Sequence, residues 1–255
     1  MSSINSDPVK EIVIAFRAWQ EAHNFIQRHK LLREIVWPGI VYSILLLTGL
    51  YFFAGSSSEA VTWMSEKLGI ENWLQQERNE WLSFLFVMNG MMLRLVLMIF
   101  YFSLFKYVLL VVGSPAFTYL SEKTEALLDG KEHPFSWADV KEDALRGIRL
   151  AFHNAGKQIL YFIGLILLSL VPLAGWITPL IAIALESYYF GVSMLDYSFA
   201  RSKFTLKESL FFSSQHRGLA IGNGIVFFAM HAMVWLAPAY AIIAATLSVR
   251  QVKNP

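Results

Sequence analysis

The sequence predicts an all-α integral membrane protein, and three observations support this class. Hydrophobic residues make up 56% of the 255 residues, against about 45–50% in soluble domains, and the mean hydropathy is +0.48. Several stretches stay apolar over the roughly 20 residues that a membrane-spanning helix needs. Two later tracts, residues 158–195 and 218–249, are each too long for one crossing and short for two, and prolines interrupt both. We therefore expect two spanning helices and two membrane-penetrating helical hairpins.

Residues 8–34 predict an amphipathic helix that lies in the membrane interface. Asp7 is a suitable N-cap, and Pro8 fits the first helical position. Apolar residues then recur at helical spacing, at Val9, Ile12, Val13, Phe16, Trp19 and Ile26. Charged residues are assigned to the other face, at Lys10, Glu11, Arg17, Glu21 and Arg28. An apolar stripe opposite a charged face is typical of helices at a membrane surface.

Two long transmembrane helices are predicted at residues 35–54 and 84–112. The residues between them, 55–83, are polar and acidic and contain three tryptophans. Because tryptophan prefers the membrane–water boundary, this connection is expected to lie against the headgroups. The motif Gly113-Ser114-Pro115 is expected to end the second helix, since proline removes a backbone donor and disturbs the preceding turn.

The two late tracts are predicted to enter the bilayer and return to the same face. Basic residues flank both tracts, and single crossings would place the four basic residues of 196–217 outside, against the positive-inside rule. Broken helices at membrane depth are tolerated where protein or a wet cavity covers the freed backbone groups. The expected breaks are Pro38, Ser114, Pro115, Pro172, Pro179 and Pro238. The depth of the hairpins stays open.

The length predicts a single domain, residues 1–255, and the charge distribution predicts that both termini lie in the cytoplasm. The positive-inside rule assigns everything except 55–83 to the cytoplasmic side. The net charge is only +2, which argues against a large nucleic-acid-binding surface. The first 30 residues lack the apolar core of a signal peptide, so insertion is expected to use the internal apolar segments.

Four stretches carry a resemblance to a known family. They are Leu31-Leu32-Arg33-Glu34-Ile35-Val36-Trp37-Pro38, Gly113-Ser114-Pro115-Ala116 with Leu120-Ser121-Glu122-Lys123, Tyr189 through Leu206 with the downstream Lys207-Glu208-Ser209-Leu210, and His216-Arg217-Gly218. In these stretches the chain resembles the CysZ sulfate permeases and the wider etoposide-induced-protein-like membrane family. The resemblance implies uptake of sulfate or a related small oxyanion without ATP hydrolysis, in the bacterial inner membrane. It also implies a homo-oligomer whose subunits can take opposite orientations.

The resemblance directs attention to the start of the first long helix. In CysZ-like proteins a glycine–aliphatic–Arg–Arg element there is associated with sulfate. Here Lys30 stands in place of the glycine, Leu32 replaces the first arginine, and Arg33 matches. Lys30 and Arg33, three residues apart, are expected on one helical face, where two cations can hold a dianion. The alternative is that they are ordinary cytoplasmic positive charge.

Ionisable residues inside apolar segments are the other candidates. Arg94 lies about ten residues into the second helix, where a charge costs about 2.5–3.5 kcal/mol at the centre. It is either an anion-attracting pore charge or part of an ion pair with Glu186. Glu186 is alternatively a proton relay, and pairing is the preferred reading. Lys106, nearer the helix end, is expected to extend to the interface. His231 lies in the second hairpin tract, and a lone buried histidine is more often a packing residue than a ligand.

Nothing in the sequence indicates an enzyme or a bound cofactor. The chain contains no GxxxxGK[ST], HExxH or GxSxG motif, and His23 and His29 are wrongly spaced for zinc on one helix face. The expectation is therefore a permease without metal or cofactor. The alternative from a different class is a non-transporting membrane scaffold, which the altered anion element favours. An intramembrane enzyme is a weaker third alternative.

Overall fold

A computed structural model describes residues 7–67, 80–130, 137–171, 173–230 and 236–253, and their regular structure is helical. The helices are α1 Pro8–Arg28, α2 Leu32–Lys67, α3 Glu80–Asp129, α4 Trp137–Ser169, α5 Thr178–Arg201, α6 Leu206–Gln215, α7 Arg217–Ala229 and α8 Ala237–Lys253. A short 3₁₀ turn, Ala174–Ile177, precedes α5. The all-α prediction is confirmed for these residues.

Four stretches of the described chain are long and apolar enough to cross a membrane. They are Leu32–Phe53, Trp81–Asp129, Lys141–Ser169 and Ala174–Ala200. The first two contain the predicted spanning segments. The last two belong to the first hairpin tract, whose helices extend beyond 158–195 at both ends. Each of its arms is therefore long enough to span, which corrects the expectation that the tract is short for two crossings. Helix α7, with 13 residues, is shorter than a span.

Three of the residues predicted to break helices, Pro38, Ser114 and Pro115, lie inside helices. Pro38 lies inside α2 and Pro115 lies inside α3, and both helices continue beyond the predicted ends, to Lys67 and Asp129. A proline within a helix costs about 3 kcal/mol because one backbone hydrogen bond is lost. Next to Pro115, burial of Ser114 and Phe117 opposes that cost, so Ser114 is a packed helical residue and not a break. Packing overrides the local signal here.

Pro179 and Pro238, one from each hairpin tract, lie where helices begin. The chain leaves the helix after Ser169 and enters α5 at Thr178, so Pro179 occupies the first turn of the new helix. Pro238 has the same position in α8. Proline is tolerated there because the first-turn N–H groups have no partner within the helix. Pro172 and His231 lie outside the described residues.

The chain divides into two compact units that alternate along the sequence. The larger unit comprises Met1–Leu45, Lys106–Asn154 and Glu186–Pro255, and the smaller unit comprises Leu46–Phe105 and Ala155–Leu185. Four helices contribute residues to both units. Each unit is described separately below, and the single-domain expectation stays a prediction.

In the larger unit, α7 packs closely between α1 and α5 because its contact faces carry glycine. A Cβ atom at Gly218 would lie 2.2 Å from the Pro8 carbonyl oxygen of α1. On the opposite face, a Cβ at Gly224 would lie 1.9 Å from the Ser187 carbonyl of α5. Gly191 of α5 is equally close, 1.9 Å, to the Ala220 carbonyl. Small residues let membrane helices approach to backbone contact, and the glycines here let α7 pack directly against α1 and α5.

Helix α1 packs on an alanine-rich face that includes Trp19 and Ile26 of the predicted apolar stripe. Its buried residues are Glu11, Ala15, Ala18, Trp19, Ala22, Phe25 and Ile26, and the helix packs against α7 and α8. Val9, Val13 and Phe16 remain exposed. The assignment of Glu11 to the charged outer face is therefore wrong. The alanines at this contact have small side chains, which allow α7 to pack closely against α1.

The smaller unit has a thin core and an apolar exterior. Its buried cluster comprises Val96, Ile99, Phe162, Leu165 and Ala182. The Asn89 side-chain amide donates to the Ser169 carbonyl over 2.7 Å, which satisfies a backbone group at the end of α4. Many large side chains are exposed, among them Leu47, Leu50, Phe84, Val87, Leu160, Ile163, Leu167 and Leu180. Such a surface suits a hydrocarbon environment and would be unfavourable in water.

Candidate functional site

The turn between α1 and α2 presents Lys30 and Arg33 to the exterior. Helix α1 closes with two hydrogen bonds, from the Lys30 N–H to the Gln27 carbonyl and from the Leu31 N–H to the Ile26 carbonyl. This is the pattern of a Schellman cap, whose residue after the helix adopts the left-handed conformation. Lys30 is that residue, with φ 53°. Glycine is favoured there because it has no Cβ.

The prediction that Lys30 and Arg33 share one helical face is wrong. Lys30 lies in the turn, and α2 begins only at Leu32. Both cations are nevertheless exposed, and they are separated by the fully buried Leu31. Because Leu31 is fixed in the core, the two charged residues are anchored to the same short piece of backbone.

The carboxylate next to this turn is already neutralised. Glu34 accepts a hydrogen bond from the Lys123 ammonium of α3 over 2.5 Å. Within the described parts of the chain, Lys30 and Arg33 have no ion-pair or hydrogen-bond partner for their side chains. The turn therefore carries uncompensated positive charge. Such a site can attract a small dianion, and Arg33 can present two parallel donors to an oxyanion.

A second charged site is buried in the larger unit. The Lys106 ammonium lies 3.0 Å from the Glu186 carboxylate, and the two side chains are only 4% and 5% exposed. The expected pairing of Glu186 with Arg94 is therefore wrong, and so is the expectation that Lys106 extends to the interface. A buried carboxylate needs a partner in direct contact, and the fold supplies Lys106. Periodicity within one helix gives no means of choosing between partners on another helix.

Arg94 lies on the exposed surface of the smaller unit. Its exposed neighbours on α3 are Val87, Met91 and Leu95. Among the residues that the structure describes, the guanidinium has no hydrogen-bond or ion-pair partner. The charge is thus left on an otherwise apolar helix face, where lipid contact would be costly.

Two further contacts of charged residues in the larger unit, an ion pair and a carboxylate–histidine contact, were not predicted from the sequence. Arg146 of α4 binds Asp196 of α5 through two hydrogen bonds of 3.0 and 2.8 Å, and it also donates to the Phe204 carbonyl. Buried Glu11 contacts His216 and accepts from the Leu219 N–H over 3.3 Å. Glu11 thereby caps α7 from another helix. The helical spacing of Glu11 with Ala15, Ala18 and Ala22 is the sequence feature that could have predicted its burial.

Asn223 of α7 connects three helices. Its side-chain oxygen accepts from the Trp19 indole of α1 over 3.2 Å. Its amide donates to the Leu219 carbonyl over 2.9 Å and to the Ser248 hydroxyl of α8 over 3.2 Å. The residue is 2% exposed, and its hydrogen bonds are met within the protein. It therefore stabilises the packing of α1 against the hairpin.

Comparison with known proteins identifies relatives along most of the chain. The family model "Sulfate transporter CysZ/Etoposide-induced protein 2.4" matches residues 18–244. "Sulfate transporter CysZ" of Pseudomonas syringae pv. tomato is 31% identical over 155 residues, 59% of this chain and 60% of that protein. The protein of the same name from Pseudomonas aeruginosa is 29% identical over 152 residues, 57% of this chain and 60% of that protein. The alignments thus span about 60% of these relatives' length.

Proposed function

Because the chain belongs to the sulfate transporter CysZ/etoposide-induced protein 2.4 family, we propose that it is a permease for sulfate or a related small oxyanion. The four membrane-capable helices and the family make it a multi-pass membrane protein. Relatives named as sulfate transporters supply the substrate class. Transport proceeds inward without ATP hydrolysis, and the protein is not an enzyme.

The single observation that carries this proposal is the uncompensated charge at the α1–α2 turn. Lys30 and Arg33 are exposed and lack partners among the described residues, while Lys123 neutralises Glu34 beside them. A dianion that binds at this turn can contact both cations, and it does not have to displace a carboxylate from either one. The positive φ of Lys30 also explains why a glycine at this position is compatible with the same turn.

Arg94 is the second element of the proposed pathway. A guanidinium at the centre of a spanning helix costs about 2.5–3.5 kcal/mol, so its exposed position on α3 favours an aqueous route or a second subunit over lipid. We place it on the route between subunits of a homo-oligomer, where it attracts anions. The buried pair of Lys106 and Glu186 is assigned a structural role.

The membrane arrangement follows from the charge pattern. The hairpins α4–α5 and α7–α8 return to the cytoplasmic side, both termini are cytoplasmic, and α1 lies in the interface. In the bacterial inner membrane, subunits of opposite orientation are compatible with the family's properties.

Radiolabelled sulfate uptake into proteoliposomes tests the proposal. We expect uptake above that of empty liposomes and inhibition by related oxyanions. Correctly folded protein with no uptake would contradict the permease and favour the scaffold alternative, which the replacement of the first arginine by Leu32 motivates. For the pathway, Arg94→Gln should lower uptake while leaving the unfolding midpoint unchanged. Equal loss of uptake and stability would instead make Arg94 structural.

A further inference from the structure

An apolar strip on α1 is left unused by the packing of that helix. Val9, Val13 and Phe16 follow one another at helical spacing and are 67%, 43% and 45% exposed. The contacts of α1 with α7 and α8 use the alanine-rich face. Between 43% and 67% of each of these residues is left uncovered by the described chain and is available to another partner.

A second exposed apolar residue lies on the neighbouring helix α6. Phe211 is 61% exposed, and it lies one helical turn before Gln215, where α6 ends. The start of α7 follows directly and contacts the N-terminal end of α1, because Gly218 packs against the Pro8 carbonyl. Phe211 therefore lies on the helix that leads directly into this contact, five residues before His216, which contacts Glu11 of α1. We name Val9, Val13, Phe16 and Phe211 with their flanking cations the junction surface.

The charge around the junction surface is positive. Lys10 and Arg17 are exposed beside the α1 strip, and Lys207 lies one turn before Phe211, with Arg217 at the start of α7. The acidic groups nearby are engaged locally. Glu11 is buried against His216 and α7, Asp7 accepts from the Val9 N–H, and Glu208 accepts from Thr205. The four cations outnumber these three carboxylates, so the junction surface carries a net positive charge.

We propose that the junction surface binds the headgroups of anionic phospholipids. The apolar side chains enter the boundary between headgroups and acyl chains, and the cations contact the lipid phosphates, as in interfacial amphipathic segments. Helix α6 supplies Phe211 and Lys207 to the same lipid surface. The inference rests on the proposed function only for the interfacial position of α1, and it does not depend on transport.

Native mass spectrometry of the full chain in mild detergent tests this binding. Phosphatidylglycerol and phosphatidylcholine with identical acyl chains are titrated separately, and we expect tighter binding of phosphatidylglycerol. The double variant Lys10→Gln/Arg17→Gln should weaken phosphatidylglycerol binding about 30-fold, since each cation near an anionic surface is worth a factor of about five. Phosphatidylcholine binding should not change. Lys207→Gln/Phe211→Ser should weaken both lipids.

The matched control is Lys141→Gln/Arg149→Gln, which removes two exposed cations of α4 in the larger unit. It should leave the lipid preference intact. Equal affinity for both lipids would overturn the proposal. So would an equal loss of phosphatidylglycerol binding in Lys10→Gln/Arg17→Gln and in the control variant. A change of oligomeric mass in Lys10→Gln/Arg17→Gln would identify the junction surface as a subunit contact and would also overturn it. Phosphatidylglycerol binding without sulfate uptake would reject the permease alone.

Discussion

The larger and smaller units are stabilised in opposite ways. In the larger unit, glycines bring helix backbones into contact, and charged groups such as Lys106, Glu186 and Asp196 are buried with partners. In the smaller unit, the buried cluster is small and large apolar side chains cover the surface. The difference indicates that interior contacts determine the structure of the larger unit. The smaller unit depends on the bilayer to cover its apolar surface.

The largest expected effect is the removal of one charge from the buried pair. Lys106→Met leaves Glu186 buried without its ammonium partner, which should cost about 3–5 kcal/mol. The double variant Lys106→Met/Glu186→Leu removes both charges and should recover most of that stability. Thermal unfolding in detergent measures the cycle. A double variant no more stable than Lys106→Met would show that the pair does more than neutralise charge.

The next effect compares glycines of the two units. Gly191→Ala places a Cβ where the Ala220 carbonyl lies, so α5 and α7 must separate, at a cost of about 3 kcal/mol. Gly164→Ala in the smaller unit meets no atom within 4 Å and should be neutral or stabilising by up to about 1 kcal/mol through helix propensity. Unfolding midpoints give the difference. Similar losses in both variants would refute the contrast in packing.

A smaller effect separates backbone from charge at the α1–α2 turn. Lys30 and Lys203 both have positive φ, 53° and 57°, so replacing either lysine by glycine should raise stability by about 1 kcal/mol. Only Lys30→Gly removes a proposed anion contact. We therefore expect both variants to unfold at higher temperature and Lys30→Gly alone to bind sulfate less tightly. Identical sulfate affinity in the two variants would remove Lys30 from the site.

The smallest effect concerns the capping box at the start of α6. Hydrogen bonds from the Thr205 N–H and hydroxyl hold the pKa of the Glu208 carboxyl below its usual value. The stabilisation is present above the usual glutamate pKa and is lost as the pH falls through the lowered folded-state value. The unfolding midpoint of wild type should exceed that of Glu208→Gln at neutral pH and approach it in acid. A constant difference would exclude the charge as its cause.

The sequence predicts the helical class and the approximate helix positions well, because apolar periodicity and proline placement are local properties. Contacts between helices cannot be predicted from these local properties. The Val9–Phe16 strip is more hydrophobic than the alanine-containing stripe beside it, yet that stripe is the one that packs against the glycine-rich α7, where Gly222 meets Ala15. Likewise, nothing local distinguishes Lys106 from Arg94 as the partner of Glu186. Pro115 shows that burial of neighbouring residues can maintain a helix through a predicted break.

The most direct test of the permease account is the initial rate of radiolabelled sulfate uptake by Arg33→Gln in proteoliposomes. The matched control is Arg149→Gln, which removes an exposed arginine of the larger unit on α4. A charge-assisted hydrogen bond is worth about 1.5–3 kcal/mol, so Arg33→Gln should reduce uptake at low sulfate concentration about tenfold or more. Arg149→Gln should match wild type. Unchanged uptake in Arg33→Gln, or an equal decrease in both variants, would contradict the assignment of anion binding to the α1–α2 turn.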